Sequence, residues 1–341
     1  MEQSMQRKST ALTRKQKRLI FYVLMLIWPV LQMSIFYIYV NFNSILLAFQ
    51  KFEANQHDIG YIVTFAGFDN FKVAWNELII GKLYMIGNSL KFFAIDYPTQ
   101  IILCMSFSFY IYKKYPCSGI FKTVLYLPQI ISGLVLGIIY KFLCDSGYRE
   151  LVSLVNYGKQ LMTQEHITKM INDGVFVRGG LLYTSGLAMP GVIFYCIYFS
   201  FGTSMLMYSS TMSGIDESVV ESSHLDGCNV FQEFIHITFP LIFPTFRSLF
   251  VVAMCGLFTN TMNLMTLYGD TIPSSISNQV VTLGYDIFMR TSLVGNMKDA
   301  AKYAEFTPGE LSAWGVIISV VMVPTIMYLK KLLEKFGPSV D

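Results

Sequence analysis

The chain has 341 residues, of which 53% are hydrophobic and only 14% are charged, and its mean hydropathy is +0.48. Because a soluble domain usually carries about 25% charged residues, this composition excludes an ordinary soluble domain and favours a protein embedded in a bilayer. The formal net charge is +3, so the positions of the basic residues are more informative than their number. Six cysteines and four histidines are scattered without metal-type spacing, and the sequence predicts no metal site.

Six segments are apolar for long enough to cross the hydrocarbon core as helices, which takes about 20 residues. They are Leu19–Val40, Gly87–Tyr112, Ile120–Leu143, Gly186–Tyr208, Leu241–Met262 and Ala313–Leu329. The first follows a basic stretch, but it is too long for a signal peptide and no small-residue cleavage site follows it. The sequence therefore predicts an all-α membrane protein with a membrane domain over residues 19–331, a basic segment over 1–18 and a tail over 332–341.

Basic residues flank the predicted spans on one side, which is the cytoplasmic side by the positive-inside rule. These residues are Arg7, Lys8, Arg14, Lys15, Lys17, Arg18, Lys113, Lys114, Lys122, Lys330, Lys331 and Lys335. With six crossings, both termini are predicted to be cytoplasmic. The outer segments, about 41–86, 144–185 and 263–312, are long and mixed in charge, so they say little about orientation.

The second cytoplasmic loop, residues 209–240, departs from this basic bias between Glu221 and Pro240, which contain acidic residues and no Lys or Arg. Its sequence predicts two short helices, one from Asp216 to Gly227 and one capped by Asn229 with Gln232 three residues later. We expect Pro240 to close the second helix. An apolar stripe on this helix is formed by Val230, Phe231, Phe234 and Ile235. The loop is either an amphipathic elbow under its own bundle or a docking helix for a partner's groove.

The same loop resembles the EAA loop of ABC importer permeases, which runs roughly E-A-A-x-x-D-G-A and then I-x-x-P-L-x-x-P. The matching residues are Glu221, Ser222, Ser223, Asp226, Gly227, Ile237, Pro240 and Pro244. Serines replace both alanines, and Cys228 stands where alanine is usual. These are exchanges of one small residue for another.

Other stretches are similar to the carbohydrate-uptake branch of that family, the maltose and multiple-sugar type, from about residue 19 to 331. They are FAGFDNFKVAW (Phe65–Trp75), YLPQIISGLVLGIIYKFL (Tyr126–Leu143), GTSMLMYSSTMSGI (Gly202–Ile215) and NTMNLMTLYGD (Asn260–Asp270). The first of them resembles the F-V-G-L-D-N-Y stretch of the first of two permease types. The resemblance therefore implies the type I importer permease fold and a second, different permease subunit.

A phosphate-binding G-x-x-x-x-G-K-[ST] loop is absent from the sequence, and SGIFKT (Ser118–Thr123) lacks its GK pair. The chain is thus predicted not to bind ATP itself, and the resemblance implies a transport subunit rather than an enzyme, with no cofactor of its own. The resemblance implies that two cytoplasmic ATPase subunits bind ATP and Mg, and that an extracytoplasmic binding protein delivers a sugar across the bacterial plasma membrane. It also implies that Glu221 contacts the ATPase and that Gly227 makes the turn between the two helices of the loop. Asp226 is expected to cap a helix or to contact the ATPase.

Polar and aromatic residues in the later spans are candidates for the sugar pathway, because rings stack on sugars and amides bind hydroxyls. They are Tyr195, Tyr198, Asn260 and Asn263, which could equally be packing or interface residues. Asp96 lies inside the second span, where a charge is costly and suggests function. Alternatively, Asp96 is protonated, or is satisfied by backbone freed near Pro98 or by a polar group of the partner permease.

Three rival functions stay open. A stand-alone secondary transporter or channel would use Asp96 for ion coupling, although nothing suggests an inverted repeat. A membrane enzyme would need clustered His, Cys or carboxylate residues, which the sequence lacks. A permease for amino acids or phosphate could share the acidic loop, whereas the Phe65–Trp75 stretch favours sugars.

Overall fold

The protein is described by a computed structural model covering residues 14–54, 61–148, 150, 180–269, 272–294 and 307–338. Its longer elements are α1 (Arg14–Leu47), β1 (Gln50–Ala54), β2 (Tyr61–Phe65), α2 (Asp69–Asn76), α3 (Leu83–Tyr112), α4 (Ser118–Ile130), α5 (Gly133–Gly147) and α6 (Ala188–Met212). They continue with α7 (Glu217–Leu225), α8 (Val230–Gly256), α9 (Leu264–Tyr268), α10 (Ser274–Val280), α11 (Leu283–Val294) and α12 (Pro308–Phe336). The described residues fall into two compact units: one contains those up to Ala74 together with Thr307–Val316, and the other contains those from Trp75 to Val294 together with those from Ile317 onward.

The first unit contains a small two-stranded sheet that the all-α prediction did not include. β1 and β2 pair antiparallel, with Gln50 opposite Phe65. The second strand reads YIVTF, and its β-branched and aromatic residues are those that fit a pleated strand best. The strands were missed because five-residue elements leave almost no periodic signal in a sequence dominated by long apolar runs.

The FAGFDNFKVAW stretch has a structural task in the first unit. The buried side chain of Asn70 donates hydrogen bonds to the carbonyl oxygens of Ala48 (2.9 Å) and Gln50 (2.8 Å). Gly67 makes the preceding turn with φ +57°, which glycine adopts without strain. A Cβ on Gly309 would lie 2.1 Å from the Gln50 oxygen, so this position accepts only glycine. Asn70 thus ties the end of α1 to the start of the hairpin.

The second unit is built on α3, α6 and α8, which share one buried core. Its members are Cys104, Met105, Phe109, Phe201, Met205, Tyr208, Met212 and Ile242. Two short side chains of α3 bond directly to the backbone of α6: Ser108 Oγ donates to the Met205 oxygen at 2.8 Å, and the Cys104 thiol to the Phe201 oxygen at 3.5 Å. Such interhelical hydrogen bonds and close packing drive helix association in lipid, where the hydrophobic effect between helices is lost.

The third predicted span, Ile120–Leu143, is not one helix. α4 and α5 are bent by 97° at a break where Ile131 and Ser132 are extended. The side chain of Gln129 donates to the Phe199 oxygen and accepts from the Thr203 hydroxyl, so α6 supports the broken end. Non-helical backbone at membrane depth is tolerated where it packs against protein in this way. Five helices of the described residues are long and apolar enough to span a bilayer, or six spans if the bent pair is one.

The fifth predicted span begins and ends earlier than expected. α8 runs from Val230 to Gly256, so the helix that enters the membrane is continuous with the second helix of the acidic loop. Pro240 does not close that helix. It lies in the first turn of the α-helical stretch that follows a π-helical turn over Phe234–Thr238. At the start of an α-helical stretch the missing N–H of proline costs little, and for this reason the helix continues through it.

Three short helices, α9 to α11, follow α8 and are fastened to α3 and to the 180–183 turn. Asn88 of α3 donates to the oxygens of Asn278 and Val281, both at 3.0 Å, and Tyr268 donates to the Leu182 oxygen at 2.7 Å. Gly284 of α11 packs against the backbone after α8: a Cβ there would lie 2.5 Å from the Asn260 oxygen. The close approach of α11 therefore fixes the position of the backbone at Asn260.

Replacing this glycine, Gly284→Ala, is expected to destabilise the second unit because the new methyl group meets backbone atoms that cannot rotate away. Overpacking of this kind costs about 1–3 kcal/mol. We expect a lower thermal midpoint for the purified membrane protein, measured against Gly119→Ala in α4, where a Cβ meets nothing within 4 Å. Equal thermal midpoints for the two variants would show that Gly284 is not tightly packed against the backbone at Asn260.

Candidate functional site

The acidic loop contains a well-capped helix, α7, whose predicted start is confirmed. The Asp216 carboxylate accepts a hydrogen bond from the Ser218 backbone N–H at 3.1 Å. This bond and one from the Ser218 side chain lower the pKa of Asp216 below its ordinary value, because both favour the charged form. The helix is thus begun by a side chain that is ionised at neutral pH.

The predicted turn at Gly227 is also confirmed. Its φ is +81°, the Gly227 N–H donates to the His224 oxygen at 3.1 Å, and the Cys228 N–H donates to the Ser223 oxygen at 3.0 Å. This pair of bonds is the Schellman ending of a helix, which favours glycine at the left-handed position. After this turn, Asn229 and Gln232 form the predicted capping box. The Gln232 N–H donates to Asn229 Oδ1 at 2.8 Å, and the Asn229 N–H donates to Gln232 Oε1 at 3.0 Å.

The residues of α7 divide between an outer and an inner face. Glu221, Ser222 and Asp226 are exposed, whereas Ser223 is buried with its hydroxyl on the Val220 oxygen at 2.7 Å. Next to the exposed acids lies Leu225, 89% exposed. A free apolar side chain beside carboxylates is suited to insertion into a partner's pocket.

A buried carboxylate follows the turn. The side chain of Glu233 is fully buried, with its Oε1 2.5 Å from Lys113 Nζ at the end of α3 and its Oε2 3.5 Å from His224 Nε2 in α7. Lys113 also lies 5.8 Å from the ring centroids of Phe109 and Tyr112. Three helices therefore meet at one charge cluster.

A cavity of about 320 Å³ lies between α3, α6 and α8. Its polar lining comprises Asp96, Tyr97, Gln100, Ser200, Ser204, Tyr208 and Asn260. The rings of Phe93 and Tyr97 stack at 5.2 Å on one wall. Asp96 Oδ1 and the Tyr97 hydroxyl are buried and have no hydrogen-bond partner among the described residues. Since buried polar atoms are nearly always paired, these two are available to a ligand.

Comparison with known proteins places the chain. Residues 102–335 match the family described as "Binding-protein-dependent transport system inner membrane component". The chain belongs to this family. The permease resemblance seen in the acidic loop is thereby confirmed, and the protein is a multi-pass membrane component of a transport system.

Individual relatives are permeases of sugar transport systems. The permease is 26% identical over 194 residues to the "Probable starch degradation products transport system permease protein AmyD" of Thermoanaerobacterium thermosulfurigenes, covering 55% of this chain and 58% of that one. It is 21% identical over 316 residues to the "Arabinooligosaccharides transport system permease protein AraP" of Bacillus subtilis, covering 90% and 86%. Against the first relatives the match spans only 53% to 58% of their length.

Solved structures share the fold of the permease. One of them is a chain of a bacterial ABC transporter "involved in the import of the acidic polysaccharide alginate", with a TM-score of 0.70, 18% identity and coverage of 95% of this chain and 98% of that chain. The predicted ABC importer permease architecture is confirmed at the level of the fold.

The cavity brings together only two of the residues predicted for the sugar pathway, Asp96 and Asn260. Tyr195 is buried and donates its hydroxyl to the Gly133 oxygen at 2.9 Å, which supports the broken span instead. Tyr198 is 53% exposed on the outside of α6. Asn263 adopts φ +53° in the turn after α8, where the Cys196 thiol donates to the oxygen of the neighbouring Met262 at 3.3 Å. In this permease these three residues do not line the cavity.

Sequence reasoning missed Gln100, Ser200 and Ser204. A signal existed, since Asp96 and Gln100 are four residues apart, as are Ser200 and Ser204, and such pairs share one helix face. The sequence analysis used Lys113 only as evidence for orientation and did not predict its ion pair with Glu233. The predicted apolar stripe does not pack as one face. Only Phe234 packs inward, with its ring centroid 5.1 Å from that of Phe109, whereas Val230, Phe231 and Ile235 are exposed.

Pro240 was predicted to belong to the coupling residues, but it is half-buried within α8 and is not presented with α7. Among the residues described, no group of three His, Cys, Asp or Glu could hold a metal ion. The candidate site of the permease therefore has two parts, the exposed helix α7 and the polar cavity, and α7 connects two of the helices that line the cavity.

Proposed function

We propose that the permease is one of two different membrane subunits of an ATP-driven, binding-protein-dependent sugar importer, and that α7 couples it to a separate ATPase. One observation carries the proposal: α7 is a capped helix with an exposed face of Glu221, Ser222, Leu225 and Asp226. A short helix presented in this way fills a groove on a partner. The sugar assignment is supported by relatives named for starch products and arabino-oligosaccharides.

The complex contains, on this proposal, a second permease, two cytoplasmic ATPase subunits that bind ATP and Mg, and an extracytoplasmic solute-binding protein. Both termini of the chain and the loop over residues 209–240 are cytoplasmic, and the complex lies in a bacterial plasma membrane. This chain binds no cofactor of its own. The family's description as binding-protein-dependent supports the solute-binding partner.

Coupling follows from how α7 is connected. It joins α6 to α8, and both of these helices line the cavity. When the ATPases close on ATP and move α7, the two cavity walls are displaced, and the cavity alternates between the two sides of the membrane. ATP binding shifts this equilibrium only through contacts that differ between the two states. Within the cavity Asp96, Gln100 and Asn260 bind hydroxyl groups, and the stacked rings of Phe93 and Tyr97 cover a sugar face.

A stand-alone secondary transporter is the second candidate, and the unpaired Asp96 oxygen favours it. The two functions differ in a simple reconstitution experiment. A secondary transporter moves solute when the purified chain alone is placed in vesicles with an ion gradient. The importer subunit takes up nothing until the second permease, the ATPases and the binding protein are added.

The docking contact is tested by Glu221→Gln, with Glu217→Gln as the matched control on the same helix. Both side chains are exposed, but only Glu221 belongs to the EAA-like pattern. A hydrogen bond to a charged group contributes about 1.5–3 kcal/mol, so we expect recruitment of the ATPase to weaken by about tenfold or more for Glu221→Gln. Binding is measured by co-purification and titration of the complex. Equal affinity of the two variants would contradict a specific role for Glu221.

A further inference from the structure

The cavity has three walls, but α7 is continuous in the chain with only two of them. α6 leads into α7, and α8 follows it after Gly227, whereas α3 is remote in sequence. α3 nevertheless contributes Asp96 and Gln100 to the cavity. If a movement of α7 displaced only α6 and α8, the cavity wall formed by α3 would not move with them.

The Glu233 carboxylate provides the missing connection. It is fully buried at the start of α8 and is paired with Lys113 at the end of α3 and with His224 in the last turn of α7. The link between α7 and α8 is only residues 226–229 and turns at one left-handed glycine, Gly227. The carboxylate bridges this turn, since His224 precedes Gly227 and Glu233 follows it.

The ion pair between Glu233 and Lys113 is poorly suited to a purely stabilising role. A buried ion pair often contributes no more than apolar side chains of the same volume would, because both charges must be desolvated. An apolar contact is already present next to it, between Phe109 of α3 and Phe234 of α8. What the buried carboxylate adds is one polar group shared by three helix ends, with Lys113 Nζ at 2.5 Å and His224 Nε2 at 3.5 Å from its two oxygens.

We propose that Glu233 is a positioning residue that fixes the angle between α7 and α8 and fastens both to α3, so that α7 moves all three walls of the cavity together. The proposal rests on the proposed function, in which an ATPase moves α7. It assigns Lys113 and His224 as the two partners through which Glu233 acts.

The test measures the distance between α7 and the end of α3 in the complete complex in nanodiscs. Spin labels are placed at Val219→Cys in α7 and Tyr115→Cys after α3, both exposed positions. The cysteines that are not buried, Cys117, Cys228 and Cys255, are replaced by serine in every variant. Distances are recorded without nucleotide and after trapping with ATP and vanadate.

We expect one narrow distance distribution for the unmodified cluster in both states, since the two helices move as one body. Glu233→Gln is expected to broaden the distribution and to make it shift on trapping. The double variant Glu233→Gln with Lys113→Gln separates positioning from stability. It leaves no unpaired buried charge, so a stabilising role predicts that the distribution recovers, whereas a positioning role predicts that it stays broad.

Narrow, wild-type distances in Glu233→Gln, or their recovery in the double variant, overturn the inference while leaving the proposed function intact. Failure of the chain with an unmodified cluster to bind the ATPase overturns the proposed function and this inference with it. Thermal midpoints of the same samples show whether the variants fold.

Discussion

Replacing Gly227 by valine is expected to uncouple ATP hydrolysis from sugar uptake while the complex still assembles. Gly227 has φ +81°, and a Cβ there meets nothing within 4 Å, so the effect comes from backbone conformation and not from a clash. The left-handed conformation costs an ordinary L-residue roughly 1–2 kcal/mol, and a β-branched residue is a clear outlier there. The valine variant relieves this strain by changing the angle between α7 and α8. Uptake per ATP hydrolysed, measured in vesicles with all partners, is expected to fall by about tenfold.

Two variants make the result specific. Gly227→Asn is expected to stay close to wild type, because asparagine tolerates the left-handed region. Gly119→Ala in α4 tests the loss of a glycine without a positive φ. If Gly227→Val transports with normal coupling, the docking role of α7 is wrong.

Replacing Asp96 by asparagine is expected to lower sugar uptake by about tenfold or more without weakening ATPase recruitment, since a hydroxyl loses a charge-assisted hydrogen bond of about 1.5–3 kcal/mol. Asp96 Oδ1 has no partner among the described residues, so the substitution breaks no contact that holds these helices together. The cavity keeps its size because aspartate and asparagine have the same shape. ATP-driven uptake over a range of sugar concentrations measures the effect.

A matched control lies on the same helix. Thr99→Val also removes a polar group from α3, but the Thr99 hydroxyl is exposed and bonded to the Ile95 oxygen of its own helix at 2.7 Å. We expect this variant to transport normally. Equal uptake by Asp96→Asn and wild type would remove Asp96 from the pathway. Ion-driven uptake by the chain alone, lost in Asp96→Asn, would instead support the secondary transporter.

The caps and the turn of the acidic loop were predictable from sequence because they are determined by neighbouring residues. Asp216 needs only Ser218, the Gly227 turn needs only the preceding helical turn, and Asn229 needs only Gln232. Each of these contacts closes within a few residues, and each residue type has a strong preference for its position. Local chemistry of this kind can be recognised without knowing the fold.

Features that depend on distant partners were missed or misplaced. The bend after Ile130 is supported by Phe199 and Thr203 of another helix, and a hydropathy window sees only a continuous apolar run. The burial of Glu233 requires Lys113 to be beside it. Tyr195 and Asn260 were equally good pathway candidates by residue type, and only the packing of α3, α6 and α8 separates them.

The length of α1 has a consequence for the small sheet that follows it. The apolar stretch of about 20 residues already crosses a hydrocarbon core of about 30 Å. α1 has 34 residues and continues to Leu47, so residues 41–47 add about 10 Å at 1.5 Å per residue. The hairpin therefore starts beyond the acyl chains. In lipid, backbone polar groups must be paired within the protein, and a two-stranded hairpin pairs fewer of them by itself than a helix does. The extra turns of α1 place the hairpin outside the hydrocarbon, at the level of water.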